Sequence, residues 1–382
     1  MSRGLDLLEK ARSLRPLIES EADATDAEVT LTKPVIEAFT ESGLFHIMVP
    51  EALGGAEADS DTIIDVFEEL AHQDGSIGWS QMANASATSY CAFLEPGLAA
   101  EMVGNQPGAV FAGQFAPRGT IKREGDGFRV SGEYAFGSGS SHAKYIGGGG
   151  FVTGDDGVPE ILPSGMPAYL CYFVPKERVE MKGGWDVLGL RGTGSFDYLV
   201  PDQYVEPGSA FFLFEPRVQT GGSFFGLGGA ALAGLGHAGW GLGVARRALD
   251  EMAKIAEAGR VRLGSSPVAN QQIFHREFGE KTLALNSVRT LAHEVFGRIT
   301  ARLAAGDTLA KIDNDEMMAA TAYLTQICED VTLWAYRLSG SRGLRNPSVI
   351  QRCFRDMMTG SLHVFVDRRS YEEFAKGKLG LG

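Results

Sequence analysis

The chain has the length and composition of a folded globular protein. It has 382 residues, of which 44% are hydrophobic and 22% are charged, which is enough apolar content to bury a large core in two or three structural units. Its formal net charge is −13. Because nucleic-acid binding needs a basic surface that neutralises phosphates, we predict no nucleic-acid partner and expect a small, neutral or weakly anionic substrate.

Cysteine spacing and hydropathy favour a cytoplasmic protein without a metal site. The four cysteines are far apart and show no metal-ligand spacing, so we expect them to be reduced and buried. The first residues alternate charge and leucine, without the apolar core of a signal peptide. Residues 221–245 are uncharged and long enough to span a bilayer, but they are mainly Gly and Ala and contain His237. We therefore predict a buried helix there and no membrane association.

Residues 1–109 have the pattern of a helical domain. Ser60 is of a residue type that caps helices, and the apolar residues after it recur at helical spacing up to a stop near Gly75. We expect several helices of this kind in the segment.

The pattern changes to that of a β-domain over residues 110–215. Short runs such as GFRVSGEYAF and AYLCYFVP are separated by Gly, Pro and Asp. The four consecutive glycines at 147–150 are not followed by Lys-Ser/Thr and do not open a helix, so they do not form a phosphate-binding loop. We interpret them as a flexible strand turn.

Helical periodicity returns in residues 216–382. Apolar residues from Phe274 to Ile299 follow one helical face, and Asn346 and Pro347 suit the N-cap and first position of a later helix. The order of helical, β and helical segments predicts an α+β fold that ends in a four-helix bundle.

Four separated segments resemble the acyl-CoA dehydrogenase superfamily. They are the VP and GG pairs near residue 50 with DGSIGWS around Trp79, then GFRVSGEYAFGSGSSHAKY, then GGWDVLGLRGTGSFDYLVPDQYVEP, and finally a segment that begins at Arg260 and resumes at Gly340 and in QRCFRD. Together they cover most of the chain. The resemblance implies the fold of that superfamily, a flavin beside the β-domain and a homotetramer or homodimer.

One position departs from the dehydrogenases of this superfamily. Their α-proton-abstracting carboxylate commonly lies eight residues after the Asp of the Arg-Asp pair, which here is Asp356, and that position holds Val364. Some relatives carry the base on another helix. The preceding residue is His363, and RDMMTGSLHVFVD is similar to the two-component flavin hydroxylases. This resemblance implies an oxygenase component that receives reduced flavin, FMN or FAD, from a separate reductase and oxygenates an aromatic or polycyclic small molecule.

Two residues are candidate catalytic groups on this reading. A histidine such as His363 can take a proton or donate a hydrogen bond near neutral pH. Ser138 lies between Gly137 and Gly139, and its hydroxyl can hydrogen-bond a flavin, although a serine in a β-turn is the alternative. His142 either reaches the same site or lies in a solvent-facing turn.

The resemblance also implies a set of flavin contacts. Arg260 and Gln271 match a family spacing for contacts across a subunit interface, although both also suit a solvated helix end. Gly137 permits a close approach of the backbone to a planar ring. The cofactor-binding candidates are Gly137, Ser138, Arg260, Gln271, Ser339, Gly340 and Ser341.

Other prominent residues are expected to be structural. We interpret Trp79 and Trp185 as packing between domains, and Arg355 and Asp356 as a charged pair that orients helices. Two other functions stay open: an acyl-CoA dehydrogenase with FAD and a relocated base, and a non-catalytic flavin-fold binding protein.

Overall fold

Six helices form the amino-terminal part of the chain. The structure is a computed structural model that describes residues 3–261 and 263–381. The helices are α1 (Arg3–Ser13), α2 (Arg15–Glu28), α3 (Lys33–Ser42), α4 (Ser60–Gln73), α5 (Gly75–Ser89) and α6 (Pro96–Val103).

Aspartates, not serine, begin the two central helices of this part. The N-cap of α4 is Asp59, whose carboxylate accepts a hydrogen bond from the amide of Thr62 at 2.8 Å. The prediction that Ser60 is the cap is wrong by one residue, because the carboxylate of the preceding residue satisfies the amide that Ser60 would have capped. Asp74 caps α5 in the same way through Ile77. Gly75 therefore begins a new helix immediately after α4 ends.

The central part contains two four-stranded sheets. One sheet has the order β1-β4-β5-β8, in which β1 and β4 run parallel, and the other is antiparallel with the order β2-β3-β7-β6. The strands are β1 (Phe111–Pro117), β2 (Thr120–Glu124), β3 (Gly127–Gly137), β4 (Tyr145–Phe151), β5 (Tyr169–Pro175), β6 (Glu180–Gly183), β7 (Phe196–Val205) and β8 (Ala210–Phe212).

The run of four glycines lies inside strand β4. A Cβ on Gly147 would stand 2.4 Å from the ring of Phe115, and one on Gly148 would stand 2.6 Å from the hydroxyl of Tyr172. Our interpretation of a flexible strand turn is therefore wrong. The glycines leave room for aromatic side chains that pack over a buried strand.

Long helices form the carboxyl-terminal part. They are α7 (Gly228–Glu257), α8 (Gln272–Ala304), α9 (Lys311–Ser339), α10 (Val349–Gly360) and α11 (Arg369–Leu379). Helix α10 begins after Ser348 and not at Pro347, so the predicted cap at Asn346 is wrong. The amide of Arg352 donates a hydrogen bond to the carbonyl of Ser348. This bond sets the N-cap at Ser348, two residues after the predicted position. The predicted α+β fold with a carboxyl-terminal helical bundle is confirmed.

Most of the uncharged stretch, from Gly228 to Ala245, forms the amino-terminal part of helix α7. A Cβ on Gly243 would lie 2.3 Å from the carbonyl oxygen of Glu68, so this glycine lets α7 approach the backbone of α4 closely. Trp240, on the same helix, is fully buried. Across residues 3–261 and 263–381, no helix is both long and apolar enough to cross a membrane.

Candidate active site

Ser138 belongs to a chain of hydroxyl groups that follows strand β3. Its Oγ lies 3.1 Å from Nε1 of Trp79 and 2.7 Å from Oγ of Ser195. Ser195 in turn lies 2.6 Å from Oγ1 of Thr193, which donates to the carbonyl of Leu190 at 2.8 Å. The turn holds its shape because Gly139 has a φ of +70°, and a Cβ there would stand 2.1 Å from Asn84.

The direction of each hydrogen bond in this row of hydroxyl groups follows from the partner at its end. The proton of Thr193 is donated to a carbonyl, so Ser195 donates to Thr193 and Ser138 donates to Ser195. Since Trp79 is an N–H donor, it occupies one lone pair of Ser138. Ser138 is half-buried and keeps one lone pair, with which it can accept a hydrogen bond from a ligand N–H.

Gly137 has a packing explanation in this structure. It is buried at the end of β3, where a Cβ would lie 3.0 Å from the ring of Tyr198 and 3.1 Å from the carbonyl oxygen of Phe196. The small residue is needed for strand pairing with β7. Its role in binding a cofactor stays a prediction.

Trp79 connects Ser138 to His363 through a cluster of rings. The centroid of its ring lies 5.7 Å from that of His363, 5.4 Å from that of His237 and 4.8 Å from that of Trp240. The two histidine rings lie 5.8 Å apart, with an angle of 29° between their planes. Trp79 therefore contacts both predicted catalytic residues, and our expectation that it only packs between domains missed this role.

His363 caps a short 3-10 helix just after α10. Its Nδ1 accepts a hydrogen bond from the amide of Phe365 at 3.3 Å, so in the neutral ring the proton lies on Nε2. Burial lowers the pKa of His363 to about 4. At neutral pH its imidazole is an uncharged hydrogen-bond donor through Nε2. The next residue, Val364, is 73% exposed and has no group that accepts a proton.

Sequence reasoning did not select His237. It was noted only as a reason against a membrane span, yet its side chain is 1% exposed and belongs to the same ring cluster. A lone histidine in a buried stretch of Gly and Ala was the signal that could have identified it. Burial, together with the neighbouring His363, holds the pKa of His237 well below its usual value.

His142 is half-buried, and both of its ring nitrogens have hydrogen-bond partners in the protein. Its Nε2 lies 2.9 Å from Oδ1 of Asn84, and its Nδ1 lies 3.3 Å from Oγ of Ser141. Burial, with a contribution from Lys176, lowers the pKa of His142 to about 4. The alternative of a solvent-facing turn is therefore wrong.

The remaining cofactor candidates form a second cluster. Arg260 is buried beside Gly340, where a Cβ would lie 2.0 Å from Nη2 of the arginine. Ser339 turns inward and donates to the carbonyl of Tyr336 at 2.7 Å, whereas Ser341 is exposed. Gln271 precedes helix α8, and its side-chain amide donates to the carbonyl of Ser266 at 2.7 Å.

Within a single subunit, the ring cluster around Trp79 and the cluster around Arg260 lie apart. His237 of the ring cluster lies in α7, and Arg260 follows the end of that helix at Glu257. At 1.5 Å per residue, the helix between positions 237 and 257 is about 30 Å long. Within one chain the predicted residues therefore form two separate groups.

The Arg355-Asp356 pair has the structural partners expected for it. Arg355 binds Asp26 at 3.3 Å and the carbonyl of Leu188 at 3.1 Å. Asp356 is fully buried and accepts the amide proton of Leu190 at 2.6 Å. The carbonyl of Leu190 also accepts the hydrogen bond from Thr193. Asp356 therefore helps to position the residue at the end of the hydroxyl chain.

Comparison with known proteins identifies the family. Residues 10–97 match the model of the acyl-CoA dehydrogenase amino-terminal domain, and residues 235–368 match that of its carboxyl-terminal domain. The chain belongs to the acyl-CoA dehydrogenase family. The two matches together cover more than half of its length and lie in the two helical parts.

Relatives within this family are monooxygenases. Indole-3-acetate monooxygenase of Pseudomonas putida is 28% identical over 91% of this chain and 87% of its own length. The oxygenase subunit HsaA, a flavin-dependent monooxygenase of Mycobacterium tuberculosis, is 24% identical over 97% of this chain and 94% of its own. The predicted resemblance to the two-component flavin hydroxylases is confirmed.

Solved structures share the fold along nearly the whole chain. XiaF from Streptomyces sp., in complex with FADH2 and glycerol, has a TM-score of 0.88 and 18% identity, and the match covers 99% of this chain and 96% of XiaF. TdsC from Paenibacillus sp. A11-2, with FMN and indole, has a TM-score of 0.80 and 21% identity over 98% and 97% of the two chains.

Proposed function

We propose that this member of the acyl-CoA dehydrogenase family is the oxygenase component of a two-component flavin-dependent monooxygenase. It takes reduced flavin, FMN or FAD, from a separate reductase and oxygenates an aromatic or polycyclic small molecule. The observation that carries the proposal is the contact of Trp79 with both Ser138 and His363, next to a valine at the position of the dehydrogenase carboxylate. The monooxygenases among the relatives support it.

The ring cluster and the hydroxyl chain fit a reduced flavin. A reduced isoalloxazine ring presents N–H donors, and the remaining lone pair of Ser138 is an acceptor for one of them. When bound, the flavin supplies the electrons that activate oxygen. Ser138 orients the ring, while Trp79 fixes the hydroxyl of Ser138 and helps to exclude water.

His363 suits hydrogen-bond donation at this site. Because its Nδ1 accepts the Phe365 amide, Nε2 holds the proton that the imidazole can give. Its low pKa keeps the side chain neutral, so it polarises an oxygen atom without placing a fixed charge beside the cofactor. The surrounding aromatic rings lower the water content of the site.

Rapid mixing of the reduced complex with oxygen tests the proposal. Protein and reduced flavin are combined without oxygen, mixed with oxygenated buffer, and followed by flavin absorbance. We expect a delay before oxidised flavin appears, and incorporation of isotopically labelled oxygen into an aromatic product. Immediate reoxidation, together with stoichiometric reduction of the oxidised protein by an acyl-CoA, would favour a dehydrogenase and overturn the proposal.

The second cluster leads us to propose a homodimer or homotetramer with shared sites. Arg260 and Gln271, on this proposal, bind the flavin whose ring lies against Ser138 and His363 of a neighbouring subunit. The separation of about 30 Å along α7 supports this division, because His237 lies in the amino-terminal third of the helix and Arg260 follows its carboxyl end. Buried Arg260 next to Gly340 offers a permanently charged fork for a phosphate.

Mixing two inactive variants tests whether the sites are shared. Arg260→Ala and His363→Asn chains are unfolded together, refolded and assayed at limiting flavin. If each site takes Arg260 from one chain and His363 from the other, random mixing in a dimer restores about a quarter of the sites. No recovery above the separate variants, with mixed oligomers verified by a size tag, would refute shared sites.

The cytoplasmic location forms part of the same proposal. All four cysteines in the described chain are free and buried, as expected for a reducing compartment. Fractionation of cells that produce the full chain should recover it with cytoplasmic markers.

A further inference from the structure

His237 is a buried histidine with unusual hydrogen bonding. Its side chain is 1% exposed, and neither Nδ1 nor Nε2 has a hydrogen-bond partner among residues 3–261 and 263–381. A neutral imidazole always presents one donor and one acceptor. Leaving such groups unpaired in a protein interior is unfavourable, and buried polar groups without a partner call for an explanation.

The neighbours of His237 place its ring at the candidate site. Its ring contacts Trp79, Trp240 and His363, at centroid distances of 5.4, 5.3 and 5.8 Å. All three neighbours are aromatic rings. Trp79 donates a hydrogen bond to Ser138, and His363 is the candidate catalytic residue. Burial is the main cause of the low pKa of both histidines, and His363 adds to it at His237.

We propose that His237 is a specificity-determining contact that hydrogen-bonds the polar edge of the aromatic substrate. This inference rests on the proposed function, because it deepens the same site. The ligand that satisfies both the aromatic walls and the imidazole is a neutral aromatic molecule with a hydroxyl or ring N–H group. A substrate hydroxyl can accept from one nitrogen or donate to the other, and a ring N–H donates to the unprotonated one.

The discrimination follows from the cost of an unpaired group. When an apolar isostere of the substrate binds, both imidazole nitrogens stay unpaired, whereas a ligand with a hydroxyl or ring N–H group pairs at least one of them. Sites that hydrogen-bond a substrate reject analogues that lack the group more strongly than apolar pockets reject extra atoms. We expect the preference for the N–H ligand to be about 10- to 100-fold.

Indole and indene are probes for this preference, because a CH2 group in indene replaces the N–H of indole. Their binding to the complex with reduced flavin is measured by equilibrium dialysis without oxygen. The wild-type protein should bind indole about 10-fold or more tightly than indene. In His237→Phe the two affinities should agree within about threefold, because the ring is kept and both nitrogens are lost. His237→Asn, which keeps a donor and an acceptor, should retain part of the preference.

His46 provides a matched control away from the site. It is also a buried histidine, but its Nε2 is hydrogen-bonded to the carbonyl of Ala109 at 2.9 Å. His46→Phe should keep the indole preference and lower Tm, because it leaves that carbonyl unpaired. His237→Phe should leave the Tm of the ligand-free protein unchanged or raise it, since it removes an unpaired polar group.

Several results would overturn the assignment of His237. One is a preference for indole over indene that is the same in wild type and His237→Phe. Another is that neither probe binds up to its solubility. The third is a decrease of Tm in His237→Phe as large as that in His46→Phe. Because binding is measured without oxygen, it is independent of turnover. An intact preference in a protein that transfers no oxygen would keep His237 as a ligand contact and reject the proposed function.

Discussion

Replacing His363 by asparagine separates the two hydrogen bonds that this residue can make. Its Nδ1 accepts the amide proton of Phe365 at 3.3 Å, and its Nε2 carries the proton assigned to catalysis. The side-chain oxygen of Asn stands near the position of Nδ1, so His363→Asn keeps the cap and loses the donor. The side-chain amide of Gln reaches towards Nε2, so His363→Gln keeps a donor and loses the cap.

The magnitudes of the two effects differ widely. The cap is a long, partly buried hydrogen bond, so its loss should cost about 1 kcal/mol or less of folding stability. A positioned proton donor contributes about 10²- to 10⁴-fold to a rate, which corresponds to about 3–5 kcal/mol of barrier. We therefore expect His363→Asn to retain flavin binding and Tm while oxygenated product per flavin oxidised falls by about 10²-fold or more.

The assay is a single-turnover reaction of the reduced complex with oxygen, with product quantified after quenching. Flavin affinity and Tm are measured on the same preparations. His363→Gln should recover part of the yield that His363→Asn loses. An unimpaired yield in His363→Asn would refute the catalytic role, and a fall in Tm that accounts for the lost activity would assign the residue to folding.

The pH dependence of this reaction provides a second measurement on the same residue. Because burial lowers the pKa of His363 to about 4, the ring is already neutral at pH 6. Product yield should therefore show no inflection from His363 between about pH 6 and 8. An acid limb near pH 6.5 that disappears in His363→Asn would contradict the burial argument.

Two further predictions concern Ser138 and Asp356. Ser138→Ala removes the acceptor of Trp79 Nε1, so oxygenated product per flavin oxidised should fall by about 10-fold or more, and a product yield equal to wild type would refute the role of the hydroxyl chain. Burial, with a contribution from Asp74, raises the pKa of Asp356 to about 7. Because this pKa is higher in the folded than in the unfolded state, it contributes stability below about pH 4 that is lost as pH rises towards 7. In Asp356→Asn, the free energy of unfolding in urea should therefore depend less on pH over that window. An unchanged slope of this free energy against pH would contradict the prediction.

Much of the fold could be predicted because its signals are local. Helical periodicity and strand alternation follow from which side chains each element buries, and motif spacing identified the family. The errors in helix starts occurred where two neighbouring residues both suit the N-cap position. Asp59 and Ser60 both suit an N-cap, and only the direction of the Asp59 carboxylate towards Thr62 decides between them. The glycines of β4 were misread because the rings that require them come from distant residues.

The candidate site was predicted less completely, since its contacts join distant segments. Ser138 and His363 were selected by their resemblance to a pattern, but no local signal connects either residue to Trp79. That connection needs the tertiary packing of α5 against the β-domain and the segment after α10. His237 was missed for the same reason, because its unpaired nitrogens are visible only when its neighbours are known.

The electrostatics of the site favour hydrogen-bond donation over proton abstraction. A dehydrogenase of this family needs a base that removes an α-proton near neutral pH. Here the groups next to Trp79 are a serine hydroxyl and two imidazoles whose pKa values burial holds below the usual value. A neutral imidazole also has an N–H that donates a hydrogen bond, whereas the carboxylate of a dehydrogenase only accepts. The same burial keeps both rings uncharged and their neighbours dry, which is the environment that an activated oxygen species needs to avoid loss to water.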